Sequence, residues 1–353
     1  MSGRAASRRA GVLIGFVAAA LAVTAGPAAA HAAFVSSQPS PGAQLATAPS
    51  VVSLTFSEPL IEDLSRVTVI DPDGAEWTGA RSDEREIEVQ LQTTAQGVYV
   101  VEWKTVSPID GHTLRGQYKF GVAAEVDHDV ASSGVPEVVD LLTATVRGLE
   151  YAGLLGMLGL LTLAALAKGE ELAWAPHGLH RWAVVAVLGG VATVAAEVAL
   201  AADGSVVPAA RSFLLAPSGI PRLARVVVEM VVAGATLRAA RRAGGWVADP
   251  RVRWLTGLAT IASLWLLAAA GHAAATRYGV LTDTGHLVAA GLWAGPILVM
   301  MFHRPPGGWG DDLGRALVAE LTWIALPAFV VTVLLGSLRG LQELGGVGEL
   351  FST

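Results

Sequence analysis

The sequence predicts an all-β sandwich fused to an all-α polytopic membrane domain of about six transmembrane helices, with an export signal in front. Three observations predict it. Only 15% of the 353 residues are charged and 53% are hydrophobic, whereas soluble chains carry about 25% charged residues. A single soluble domain and a disordered chain are both excluded on those grounds. The apolar residues come as short alternating runs up to about residue 123 and as long uninterrupted stretches after about residue 138. The charge is segregated as well: residues 31–137 hold 16 Asp and Glu against 6 Lys and Arg, a formal −10, although the whole chain carries only −6.

Residues 1–30 read as the signal. Arg4, Arg8 and Arg9 precede an apolar run from Gly11 to Ala25, and Pro27-Ala28-Ala29-Ala30 supplies small residues for cleavage. This is a basic segment, a short apolar segment and an A-x-A-like site. The run is short for an uncleaved anchor. Cleavage after Ala30 leaves a mature chain that begins with His31.

Residues 31–123 read as the β domain. Alternating runs lie at 52–56, 67–70, 87–91 and 97–103, with a further strand at 116–120 and a turn at Asp71-Pro72-Asp73-Gly74. Short alternating strands at regular spacing indicate a sandwich. Its acidity attracts cations and repels nucleic acid. Residues 124–137 show no pattern and read as a linker.

Residues 138–353 read as the membrane domain, with apolar stretches near 138–167, 182–202, 219–237, 254–271, 285–302 and 316–338. Most are long enough to cross the hydrocarbon as helices. With the mature N-terminus outside, the cytoplasmic connections hold nine Lys and Arg, against Arg211, Arg277 and Arg339 outside, or five with Arg222 and Arg225. That bias agrees with the positive-inside rule and with the signal. The expected location is a bacterial plasma membrane, with the β domain on the extracytoplasmic side.

The chain has no Cys, which excludes disulfide scaffolds, zinc–thiolate sites, iron–sulfur clusters and cysteine nucleophiles. A metal site must use His, carboxylate, Met or the chain's own N-terminus. A terminal His31 can chelate through its α-amine and imidazole together, a pair that suits copper(II), which favours nitrogen donors. Asp110-Gly111-His112 offers two more donors on a turn, and glycine permits the tight backbone. By itself, Asp-Gly-His is also an ordinary hairpin turn with a surface histidine.

These residues resemble the CopC family of periplasmic copper-binding proteins. The resemblance lies in His31-Ala32-Ala33-Phe34-Val35-Ser36-Ser37-Gln38-Pro39-Ser40-Pro41-Gly42, in Phe56-Ser57-Glu58-Pro59-Leu60, and in Val106-Ser107-Pro108-Ile109-Asp110-Gly111-His112 followed by Gly116 and Phe120. It implies an Ig-like sandwich over 31–123 and a copper(II) site at His31, Asp110 and His112. Glu58 is a candidate for orienting those ligands, or a surface carboxylate at a strand end. Some members of that family carry a Met-rich copper(I) site. No Met occurs between residues 31 and 137, so that site is expected to be absent.

The membrane half resembles CopD, the frequent partner of CopC, through Gly271-His272-Ala273, Asp283, the run His286 to Pro296, and Gly336. CopD normally continues with further helices, so the chain is expected to lack the family's last ones. His272 and His286, with Met157 and Met230, are candidates for a membrane copper path; interfacial histidines and core methionines are the plainer reading. Glu150, Glu197 and Glu229 lie in or beside spans and are candidate functional carboxylates or ion-pair partners of Arg147 and Arg225.

The expected role is extracytoplasmic copper(II) binding, with transfer to or transport across the membrane and no catalysis. The partners implied are copper, lipid and other copper-handling proteins. Two alternatives stay open. One is a haem-bearing electron carrier with His272 and His286 as axial ligands. The other is a copper-dependent oxidative enzyme built on the N-terminal histidine chelate, against which Asp110 argues by filling a position oxygen needs. No P-loop or phosphorylated-Asp motif is present, which leaves ATP-driven pumping without support.

Overall fold

The computed structural model describes residues 32–126, 132–133, 137–167, 172, 174–175, 177–242 and 245–343. The expected export signal over residues 1–30 and His31 lie outside the described residues. The β domain contains β1 (Phe34–Gln38), β2 (Gln44–Leu45), β3 (Val51–Phe56), β4 (Arg66–Ile70), β5 (Glu76–Thr78), β6 (Ala80–Asp83), β7 (Glu86–Gln90), β8 (Gly97–Val106), β9 (Thr113–Val122) and β10 (Ser132–Ser133). One sheet runs β1-β3-β7-β6 and the other β10-β9-β8-β4-β5, with β2 parallel to β9. All five expected strands are present. The edge strands β1, β2, β5 and β6 are too short or too polar to show an alternation. The segment expected as a patternless linker contributes β10, paired with β9 at Gln117 and Gly116.

Alternation makes the core. Val52, Leu54 and Phe56 of β3 and Ile87 and Val89 of β7 face Val67, Val69, Tyr99, Val101, Trp103, Tyr118 and Phe120 of the other sheet, all buried. Phe34 stacks on Trp103 with ring centroids 5.0 Å apart. Each buried side chain of this size contributes about 1.5–3 kcal/mol.

The helical domain contains α1 (Glu137–Leu166), α2 (Gly178–Ala201), α3 (Val206–Leu215), α4 (Gly219–Ala240), α5 (Pro250–Ala269), a 3-10 turn (His272–Ala275), α6 (Gly279–Phe302) and α7 (Asp312–Glu343). Among the described residues, five helical stretches are long and apolar enough to cross a membrane: Leu141–Leu166, Gly178–Ala201, Pro250–Ala269, Gly279–Phe302 and Asp312–Gly340. The remaining expected stretch, 219–237, does form a long helix, α4, but it buries Arg222, Arg225 and Glu229 inside the bundle. Helix α1 packs against α2, α5, α6 and α7. Small residues permit this: a Cβ on Gly159 would collide with the Gly295 carbonyl carbon of α6, the close backbone approach common between membrane helices. Trp254, Leu258, Trp323 and Leu334 face outward, where lipid rather than water would cover them.

The two domains are docked. Leu64 and Val106 of the sandwich form one apolar cluster with Val198, Ala201, Ala209 and Phe213 of the helices. Around it, Lys104 of β8 donates to the Ala201 carbonyl at 2.8 Å and pairs with Asp203 at 2.6 Å. Arg66 also reaches Asp203 at 2.6 Å, and Ser212 donates to Asp63 at 2.9 Å. Burial pulls the Lys104 ammonium below its usual range, partly offset by Asp203. Burial raises the Asp203 carboxyl, but Lys104 and Arg66 outweigh it and hold Asp203 below the usual carboxylate range.

A depressed acid favours the docked state above its ordinary pKa of about 4 and loses that contribution as pH falls through the lower docked value. Hydrogen exchange at the docking face, corrected for intrinsic rate, is therefore expected to be steady from about pH 7 to pH 5 and to quicken below about pH 4. Asp203→Asn should remove that acid transition. The same transition in Asp203→Asn would place its origin elsewhere.

Candidate metal centre

Strands β8 and β9 are joined by Ser107–His112, and side chains set the shape of that loop. Ser107 Oγ accepts from Ile109 N at 3.1 Å, and Gly111 N donates to the Ser107 carbonyl at 2.9 Å. Asp110 Oδ1 accepts from His112 N at 2.9 Å. This is the local capture of backbone donors that makes Asp a turn residue. Gly111 sits at φ +69°, the left-handed region that glycine enters without strain. It has a second reason to be glycine: a Cβ there would stand 2.9 Å from both Phe213 Cζ and Arg222 Nη2 of the helical domain.

The turn is seated on the helices. Arg222 of α4 donates to the Asp110 carbonyl and lies 5.3 Å from the Phe213 ring centroid. Ser218 N donates to the Pro108 carbonyl at 3.1 Å. The carboxylate of Asp110 has no solvent exposure, and two imidazoles converge on its Oδ2. His112 Nδ1 lies 3.2 Å away and His272 Nδ1 2.6 Å away. The two rings stack with centroids 4.7 Å apart and planes 17° apart. One ligand atom from each of Asp110, His112 and His272 lies within 4.8 Å of the others. The spacing of Asp110 and His112 was legible in the sequence. The arrival of His272, 160 positions after His112, was not.

This cluster lines a cavity of about 170 Å³ together with Arg147, Glu150, Glu197, Arg222, Arg225 and Asp283 of the helical domain. Its walls are ion pairs, and they cross between helices. Arg147 stands three residues before Glu150 yet pairs with Glu197 of α2 at 2.7 Å. Arg222 meets the other oxygen of Glu197 at 2.7 Å. Arg225 is 2.6 Å from Glu150 of α1 but 3.9 Å from Glu229 on its own helix. Sequence proximity suggested the opposite partners. Arg222 is the residue that sequence reasoning used least; an arginine at the start of an apolar stretch is the signal that marks it.

Among the described residues, the other candidates are not part of this three-residue group. Glu58 is buried just after β3, beside a segment pinned on both sides: Ser57 N donates to the Ala33 carbonyl at 2.9 Å, and Ala33 N donates to Ser57 Oγ at 3.0 Å. Thr105, near the end of β8, donates to the Ala32 carbonyl at 2.9 Å. His286 Nδ1 is 2.8 Å from the Thr332 carbonyl, between α6 and α7. Met157 is buried in the helical core, and Met230 is half exposed on α4.

Comparison with known proteins gives four results. A family profile described as CopC domain matches residues 34–123. Protein YobA of Escherichia coli (strain K12) is 31% identical over 99 residues, covering 26% of this chain and 79% of YobA. The copper transport protein CutJ of Bacillus subtilis is 25% identical over 349 residues, covering 92% of this chain, which spans 63% of CutJ's length. Among solved structures, CopC from Methylosinus trichosporium OB3b is similar at 30% identity over 26% of this chain and 93% of that one, with a TM-score of 0.24.

Proposed function

The chain belongs to the CopC family, and from that premise we propose that it handles copper in two stages. The β domain captures copper(II) on the extracytoplasmic side through His31, Asp110 and His112. The helical domain, read as CopD-like, takes the ion and passes it across the membrane. The observation that carries this reading is that the Asp110–His112 turn is bonded to Arg222 of the helices and lines one cavity with helical-domain residues. A binding module with no further task has no need to bury its metal-ligating turn against membrane helices. The nitrogen and carboxylate donors favour copper(II) over copper(I), which prefers thiolate and thioether. Support for His31 comes from its neighbour Ala32, whose carbonyl accepts from Thr105 of β8, the strand that leads into the Asp110 turn. Likeness to CutJ, a copper transport protein, supports the second stage.

The N-terminal chelate is tested with the full chain beginning at His31 and the same chain carrying one extra Gly before it. The added residue keeps the imidazole but separates it from the α-amine. Copper(II) affinity, measured by competition, is expected to fall by at least about tenfold, or 1.4 kcal/mol. Equal affinities would refute the chelate.

A further inference from the structure

We infer that His272 is a ligand of the same copper ion as Asp110 and His112, so that the site is shared between the two domains. This rests on the copper reading above and names the point of hand-over. Asp110 Oδ2 makes its shorter imidazole contact with the helical domain, 2.6 Å to His272 against 3.2 Å to its own turn's His112. Two donors each about 2.0–2.1 Å from one ion are at most about 4.2 Å apart. The three ligand atoms lie within 4.8 Å of one another, so sub-ångström side-chain rotations bring them onto a single ion.

Two imidazole nitrogens and one buried carboxylate oxygen converging on one point form the mixed nitrogen and oxygen donor set that a divalent cation would take, and the Asp110 carboxylate would balance part of its charge.

The position of His272 suits exchange. It opens the 3-10 turn after α5, capped by Gly271, and its side chain keeps 25% exposure. Transfer then proceeds by donor substitution at one copper(II) ion. Bonds to the β-domain nitrogens break as bonds to helical-domain donors form, and the oxidation state does not change. Asp110 and His272 hold the ion during that exchange.

The test is copper(II) electron paramagnetic resonance on the full chain beginning at His31, in detergent, at one copper per chain. His272→Ala and His272→Gln are compared with the unsubstituted chain and with His112→Ala. The expected result is one fewer coupled nitrogen in both His272 variants and a several-fold weaker copper affinity, with unchanged thermal unfolding in the absence of copper. His272→Gln keeps a polar side chain facing Asp110 and guards against a folding defect in His272→Ala. Spectra of both His272 variants identical to the unsubstituted chain, with His112→Ala altered, would overturn the shared site and leave the copper reading intact. An unaltered His112→Ala spectrum would overturn both.

Discussion

Replacing His112 by Ala is expected to weaken copper(II) binding by the full chain by more than about 100-fold, because loss of groups that merely orient ligands already costs 10–100-fold. The fold should survive. His112 keeps 31% side-chain exposure and lies where β9 begins, and its backbone donor to Asp110 does not depend on its ring. Asp110→Asn should lower affinity by a comparable factor, since it removes the anionic donor on which both imidazoles converge. It should also perturb the turn, because Asp110 shapes the loop as well as facing the site. Thermal unfolding without copper separates the two effects: His112→Ala should match the unsubstituted chain, and Asp110→Asn should not. Copper affinity of His112→Ala within threefold of the unsubstituted chain would remove the β8–β9 turn from the site.

Replacing Arg225 by Leu is expected to destabilise the helical domain by about 3–5 kcal/mol, the usual cost of removing one partner from a buried ion pair. Arg225 is the guanidinium between Glu150 at 2.6 Å and Glu229 at 3.9 Å, and the side chains of all three are at most 5% exposed. Without it, two carboxylates face each other in a medium that solvates neither. Leucine fills part of the lost volume, so a cavity is not the main loss. The combined replacement of Arg225, Glu150 and Glu229 by Leu should recover most or all of the stability, since an apolar substitute for a buried ion cluster is often neutral or better. Thermal unfolding in detergent reads both results. A single Arg225→Leu effect under about 1 kcal/mol would mean that water or a proton already compensates the carboxylates.

The fold was legible where one physical rule decided each element. The alternation of Val52, Leu54 and Phe56, or of Val67 and Val69, can bury one face only as a strand, and each formed one. The long apolar stretches became helices because a backbone without nearby water must satisfy itself within the segment. Strand β10 and the short helix α3 escaped because their order comes from pairing with β9 and from packing on the sandwich, not from a local pattern. Helix α4 was legible as a helix, but its inward charges were not legible as a paired network.

The candidate site divides the same way. Asp110 and His112 are two residues apart, so a turn joins them whatever surrounds it, and the sequence by itself determined that half of the site. It also determined the acidic β domain, the absence of thiol ligands and the sequence of apolar spans. Only the tertiary structure decided that His272 stacks on His112, that Arg147 reaches past Glu150 to Glu197, and that the Asp110–His112 turn faces the helical bundle. Those contacts join residues 50 to 160 positions apart. No periodicity reaches that far; the docking of Leu64 and Val106 on Phe213 and the close packing of glycine-bearing helices bring them together.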